Sequence, residues 1–170
     1  MSEEKYKKYK DNPTASSVVS EPMVAYVTSA PVPPFYNLLG GIKASKFSSD
    51  QDILQLTRDG LPKRILLSLA KKISLTIQEL ANIMHISERT LQRYDDNAII
   101  KSEYAEKAIE LARLYTRGEE VFGSMDKFKT WMKTPSHIFK GEPPVSLLDT
   151  SFGFSMVFKE LGRIEHGIFA

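Results

Sequence analysis

The sequence predicts an all-α protein made of two consecutive helical modules, and three observations support this fold class. Apolar residues recur at helical spacing through much of residues 50–118. Glycine and proline interrupt these stretches, as at Gly60-Leu61-Pro62. The 170 residues are 42% hydrophobic and 26% charged, which is ordinary for a globular chain with one or two small cores.

The amino-terminal residues 1–34 are expected to form a flexible arm. They combine a mixed-charge start with five prolines, and they contain too little apolar area to build a core. Only Met23–Thr28 has the composition of a strand. The first helical module is therefore assigned to residues 35–118.

Within this first module, the helices expected after a short FYNLLG patch cover residues 50–59, a segment starting at Pro62, and residues 76–84, 87–95 and 102–118. Pro62 suits a first helical turn, where its missing N–H costs nothing. Ser102, followed by Glu103 and Glu106, predicts the N-cap of the longest helix.

Residues 119–170 predict a second, smaller helical module. Its helices are expected over residues 126–133 and 149–161, separated by a proline-rich link. Trp131 and Phe139 are expected to be core side chains. Gly162 and Gly167 are expected to break the last helix and to leave an apolar and basic tail.

Composition excludes several kinds of site. Cysteine is absent, which removes disulfides, thiolate nucleophiles and Cys-ligated metal sites. The histidines His85, His137 and His166 lack the spacing that puts two ligands on one helix face, so we expect no metal and no cofactor. No apolar run reaches the about eighteen residues of a membrane span. The charged first residues lack the apolar segment of a secretory signal, and we expect a cytoplasmic protein.

Residues 75–96, LTIQELANIMHISERTLQRYDD, carry the pattern of a helix-turn-helix. Ala81 is small where two helices must approach each other, and Ser87 suits the N-cap of the second helix. His85 stands in the turn where glycine is usual, a position that histidine tolerates better than bulkier residues do. The side chains expected to point inward are Leu80, Met84, Ile86, Leu91 and Tyr94.

The second helix of this pair predicts a DNA-reading surface. An advance of about 100° per residue places Arg89, Gln92 and Arg93 opposite the inward face, and arginine and glutamine read guanine and adenine in the major groove. Residues 62–101 hold seven basic and four acidic side chains, a net +3 against +2 for the whole chain. The predicted DNA contacts are Ser87, Arg89, Thr90, Gln92, Arg93 and Lys101. Additional contacts to the phosphate backbone are expected from Lys63, Arg64, Lys71 and Lys72, while Asp95 and Asp96 oppose phosphates.

The second module adds a longer set of motifs. Residues 119–124 read EEVFGS, Trp131 is followed by Pro135, and residues 147–153 read LLDTSFG. The chain then closes with Gly162-Arg163-Ile164 and His166-Gly167. With these motifs and GLP at residues 60–62, the sequence resembles the Xre/MbcA/ParS-like antitoxins, whose partners are toxins of the RES type. The resemblance covers about residues 35–170.

The resemblance implies an Xre-like helix-turn-helix domain followed by a toxin-binding and dimerisation domain. It implies an antitoxin of a type II module that occludes the active site of an NAD-degrading RES toxin and represses its own operon. Such a protein is not itself an enzyme; it forms homodimers and larger complexes with its toxin. The residues expected to bind the toxin are Arg163, Ile164, Glu165, His166, Gly167, Ile168 and Phe169.

Other interpretations of the residues stay open at this point. The chain could be a stand-alone dimeric regulator without a toxin, or an inhibitor whose helix-turn-helix has lost DNA binding. A hydrolase using Ser, His and Asp is disfavoured because no G-x-S-x-G elbow occurs. The apolar side chains after Arg163 could equally fold back onto their own core.

Overall fold

The computed structural model describes residues 34–40 and 49–168. The expectations for residues 1–33, including the strand-like Met23–Thr28, and for Phe169 lie outside these residues. In the described part the fold is mostly helical, which confirms the all-α prediction. The α-helices are α1 (Asp50–Asp59), α2 (Lys63–Lys72), α3 (Ile77–Met84), α4 (Glu88–Arg93), α5 (Ser102–Phe122), α6 (Met125–Lys133) and α7 (Ser151–Glu165). Short 3₁₀ helices cover Pro34–Asn37, His137–Phe139 and Pro144–Asp149.

A two-stranded antiparallel sheet joins the two ends of the α2–α4 segment. Strand β1 (Leu61–Pro62) pairs with β2 (Ile99–Ile100), with Leu61 opposite Ile100. Pro62 thus precedes α2 in extended conformation and is not in its first turn. Gly60 has φ +79°, and a Cβ on it would overlap the Ile100 carbonyl, so glycine is required here. The sheet holds the α2–α4 segment as a closed unit.

The longest helix, α5, is longer at its carboxyl end than expected. It continues past Gly118 to Phe122 and ends at Gly123, whose φ of +67° is left-handed. Its N-cap is Lys101, without a side-chain hydrogen bond, so the prediction that Ser102 caps the helix is wrong. The expected boundary between the two modules, between residues 118 and 119, therefore lies inside a continuous helix.

The last helix also differs from its expected bounds. It starts at Ser151, because Asp149 ends the preceding 3₁₀ helix, and the Thr150 side chain accepts a hydrogen bond from the Gly153 backbone at 3.0 Å. It runs through Gly162 to Glu165. The prediction that Gly162 breaks the helix is wrong, since one glycine costs only about 1 kcal/mol in a helix that is packed on one side. Gly167, with φ +67°, follows its end.

The core is one continuous cluster that surrounds α5. Helices α1, α2, α3, α6 and α7 all contact α5. Tyr115, in the middle of α5, is fully buried, and this burial raises the pKa of its hydroxyl, with a smaller contribution from the charge of Glu79. Because both modules pack on the same helix, they form one folded unit.

An aromatic cluster fixes α6 on the carboxyl-terminal half of α5. The Phe128 ring lies 5.1 Å from that of Tyr115 and 5.7 Å from Trp131, measured between centroids. Trp131 in turn contacts Phe139 at 6.3 Å. Phe139 is buried and Trp131 is half-buried against the core, as expected. Gly118 allows this packing because a Cβ there would overlap the Phe128 ring.

Replacing Gly118 with alanine is expected to lower the free energy of unfolding by about 1–3 kcal/mol, the usual result of overpacking. Gly162→Ala is the matched control, because no atom of the residues that the structure describes lies within 4 Å of a Cβ built at that helical glycine. The control should raise stability by about 0.5–1 kcal/mol through helix propensity. Urea unfolding followed by circular dichroism measures both changes. Equal stability of the two variants would contradict the packing described here.

Candidate nucleic-acid interface and carboxyl-terminal segment

The turn between α3 and α4 is set by local hydrogen bonds. Thr76 and Glu79 form a reciprocal capping box at the start of α3. His85 ends this helix in the left-handed region, with φ 53° and ψ 40°. The Ser87 hydroxyl caps α4 by accepting from the Thr90 backbone N–H at 3.0 Å. These caps fix the direction in which α4 leaves the turn.

The His85 side chain connects this turn to the second module. Its Nε2 lies 2.7 Å from the backbone oxygen of Asp149, just before α7. The same oxygen accepts a hydrogen bond from the Lys107 ammonium of α5 at 3.3 Å. Sequence reasoning treated His85 only as a turn residue and missed this contact, since the two residues are 64 positions apart.

Helix α4 presents the face that its periodicity predicts. Leu91 is 2% exposed, whereas Arg89, Gln92 and Arg93 are all exposed. None of the ion pairs among the described residues involves Arg89 or Arg93. Both guanidinium groups are thus available for an anionic partner. Ser87 and Thr90 are exposed at the start of this surface, where their hydroxyl oxygens lie 2.7 Å apart.

Lys63 does not lie on the cationic surface as expected. It is 6% exposed, and its ammonium donates to the Tyr94 carbonyl at 2.6 Å and pairs with Asp96 at 3.1 Å. Lys63 therefore holds the chain that leaves α4 and offsets the charge of Asp96, so the expectation that it contacts phosphates is wrong. Arg64 supports the same loop by donating to the Asn97 side chain at 2.6 Å.

The other cations expected around this surface keep exposed positions. Lys71 is exposed at the end of α2, and Lys72 donates to the Asn37 carbonyl at 2.6 Å while also remaining exposed. Lys101 is 68% exposed and lies 3.7 Å from Glu103, a weak pair at the surface. The half-buried Tyr94 closes the inner side of α4.

The carboxyl-terminal segment is not a free tail over its whole expected length. Arg163, Ile164 and Glu165 belong to α7, and the first two are half-buried. His166 and Gly167 are exposed, and Ile168 is 55% exposed, so for Ile168 the fold-back interpretation is wrong. This exposed end continues directly from the last turn of α7.

Ion pairs fix the end of α7 on α5. The Arg117 guanidinium of α5 pairs with the carboxylates of both Glu165 and Glu120, and 3.2 Å separate its nitrogen from the Glu120 oxygen. The hydrogen bond that Arg117 donates to Glu120, with additional contributions from Glu165, raises the pKa of the Arg117 guanidinium. Arg163 lies 3.7 Å from Glu160, which is 4% exposed. The exposed residues after Glu165 thus start from a fixed helix end.

Two further features of the described residues bear on function. They contain no grouping of three or more His, Asp or Glu side chains able to hold a metal ion. None of their helices combines the length and the hydropathy that crossing a bilayer would require.

Comparison with known proteins identifies both modules. Residues 52–113 match the family model of the antitoxin Xre-like helix-turn-helix domain. Residues 117–167 match that of the antitoxin Xre/MbcA/ParS C-terminal toxin-binding domain. Antitoxin Xre of Yersinia enterocolitica serotype O:8 is 32% identical over 100 residues, which cover 57% of this chain and 67% of the relative. Antitoxin Xre of Photorhabdus laumondii is 27% identical over 123 residues, which cover 71% of this chain and 83% of the relative. The chain therefore belongs to the Xre family of antitoxins, with a helix-turn-helix domain followed by a toxin-binding domain.

Proposed function

We propose that this chain is the antitoxin of a type II toxin–antitoxin module and acts through two separate surfaces. One surface binds the operator DNA of its own operon and represses it. The other binds and occludes a RES-type toxin that degrades NAD. The observation that carries this proposal is the presence of both matched domains on one continuous core around α5. The protein acts in the cytoplasm by binding, without catalysis of its own.

The DNA surface is built from Ser87, Arg89, Thr90, Gln92, Arg93 and Lys101. Helix α4 has a fixed N-cap and a carboxyl end held by Lys63, so its exposed side chains are presented from a rigid base. Exposed arginine and glutamine side chains on such a helix match the donors and acceptors of base edges. A homodimer would place two such helices about one DNA turn apart.

The toxin surface includes the exposed residues that follow α7. Their position beyond a helix end that is fixed by Arg117 lets them enter a cleft on another protein while the helix stays on its core. Ile168 and Phe169 supply apolar area there, and burial of such a side chain contributes roughly 1.5–3 kcal/mol before ordering costs. Arg163, Ile164, Glu165, His166 and Gly167 complete the proposed segment.

The double variant Arg89→Ala with Arg93→Ala is expected to weaken binding to a duplex from the chain's own upstream region by at least about tenfold. It should also reduce the slope of log affinity against log salt by about 2. The control removes the same charge from two other exposed cations, Arg113→Ala with Lys127→Ala. Fluorescence anisotropy at several salt concentrations measures both. An equal loss of operator affinity in the control variant would contradict a specific role for α4.

Lys63→Met is expected to lower the free energy of unfolding by about 1–3 kcal/mol, because the Tyr94 carbonyl and Asp96 lose their partner. The variant should also weaken operator binding, because the end of α4 is no longer held. Toxin binding should stay unchanged. Lys127→Met removes an exposed ammonium from α6 and serves as the control. Operator affinity equal to that of the unaltered chain would show that the Lys63 contact does not position α4.

A chain ending at Glu165 is expected to keep its fold and its operator affinity but to lose protection against the toxin. The cut preserves α7 and the ion pair between Arg117 and Glu165. It removes residues 166–168, which are exposed, and the last two residues of the given sequence. We expect a RES-type protein to be encoded beside this chain's gene, and that protein, expressed together with each chain, is the probe. Colony growth and cellular NAD report protection. Full rescue by the shortened chain would refute the role of the tail.

A further inference from the structure

Within the part of the chain that the structure describes, helix α7 is packed on one side only. Phe154, Val157 and Leu161 are each at most 3% exposed on the inner side, which lies against α5 and the 3₁₀ helix Pro144–Asp149. At its start, Gly153 is so close to the Leu147 carbonyl that a Cβ would overlap it. The helix therefore cannot rotate or move inward without breaking this packing.

The opposite side of α7, here called the outer face, consists of Phe152, Ser155, Phe158, Lys159 and Gly162. Phe152 is 77% exposed, more than any other large hydrophobic side chain of the described residues, and Phe158 is 37% exposed. A rotation of about 100° per residue places Ser155 between the two rings, whereas Lys159 and Gly162 follow Phe158 farther along the same side of the helix. Among the described residues, no atom lies within 4 Å of a Cβ built at Gly162. The outer face thus has a shallow gap at the small Ser155, here called the trough, with an exposed aromatic ring before it and another after it along the helix.

Such a face has the composition of a protein interface. Aromatic side chains dominate binding energy when a partner removes them from water, and small neighbours let that partner approach closely. Lys159 is the one charged side chain among the five residues of the outer face. A surface of this kind fits a folded protein much better than it fits the phosphates of DNA, which require clustered cations.

We propose that the outer face of α7 is a docking surface for the toxin, with Phe152 as its principal side chain. This inference rests on the proposed function and extends it from the tail to the body of the helix. Two observations favour the toxin over a second copy of this chain. The whole of α7 lies within residues 117–167, which match a toxin-binding domain. The outer face also runs without interruption into Arg163 and the exposed segment after Glu165.

The test uses Phe152→Asp in the full chain. Phe152 is the second residue of α7, where an aspartate interacts favourably with the positive end of the helix, so the variant is expected to fold. Ser155→Arg is a second variant, which fills the trough with a residue that favours helices. Ile138→Asp is the control, since Ile138 is 42% exposed in the same matched domain but lies in the 3₁₀ helix His137–Phe139.

Binding of each purified chain to the neighbouring RES-type protein is measured by titration calorimetry, alongside operator binding. Phe152→Asp and Ser155→Arg should each weaken toxin binding by about thirtyfold or more, and Ile138→Asp by less than about threefold. Operator affinity should be the same for all. This pattern supports the inference.

Other results overturn it in distinguishable ways. If the unaltered chain does not bind the RES-type protein, the proposed function itself fails. If the unaltered chain binds and Phe152→Asp binds equally well, the proposed function stands and the docking surface is wrong. If Phe152→Asp leaves toxin binding unchanged but alters the oligomeric state in sedimentation, the outer face is a contact between copies of this chain.

Discussion

The burial of α5 is the constraint on which the rest of the structure depends. This helix carries fully buried side chains along most of its length, among them Ala105, Leu111 and Tyr115. Both the helix-turn-helix, through α3, and the second module, through α6 and α7, pack against it. The two candidate surfaces are consequently attached to one rigid element. The contact of His85 and Lys107 with the Asp149 carbonyl adds a direct connection between the turn and the start of α7.

Much of this architecture could be predicted because helix periodicity and capping are local properties. The bounds of α1 match its expected range, and Thr76 and Ser87 cap the helices that they were expected to start. The exposure of Arg89 and Arg93 followed from placing Leu91 in the core. These features need only neighbours within a few residues, and the sequence carries those neighbours directly.

The features that could not be predicted depend on contacts between distant residues. Lys63 looked like a surface cation, but the carbonyl of Tyr94 and the carboxylate of Asp96 make its burial favourable. Gly162 looked like a helix breaker, but packing of Val157 and Leu161 maintains the helix through it. Phe152 appeared only as part of a motif, and its exposure is visible only once the inner face of α7 is known. Propensity is a weak guide wherever tertiary contacts decide.

The proposed function requires operator DNA and toxin to occupy different surfaces of one folded unit. Amide hydrogen exchange of the full chain, recorded alone, with operator duplex and with the RES-type protein, tests it most directly. We expect DNA to slow exchange in α4 and its N-terminal turn, and the toxin to slow exchange in α7 and the residues after it. Protection of α4 by the toxin with no effect on α7 would contradict the account.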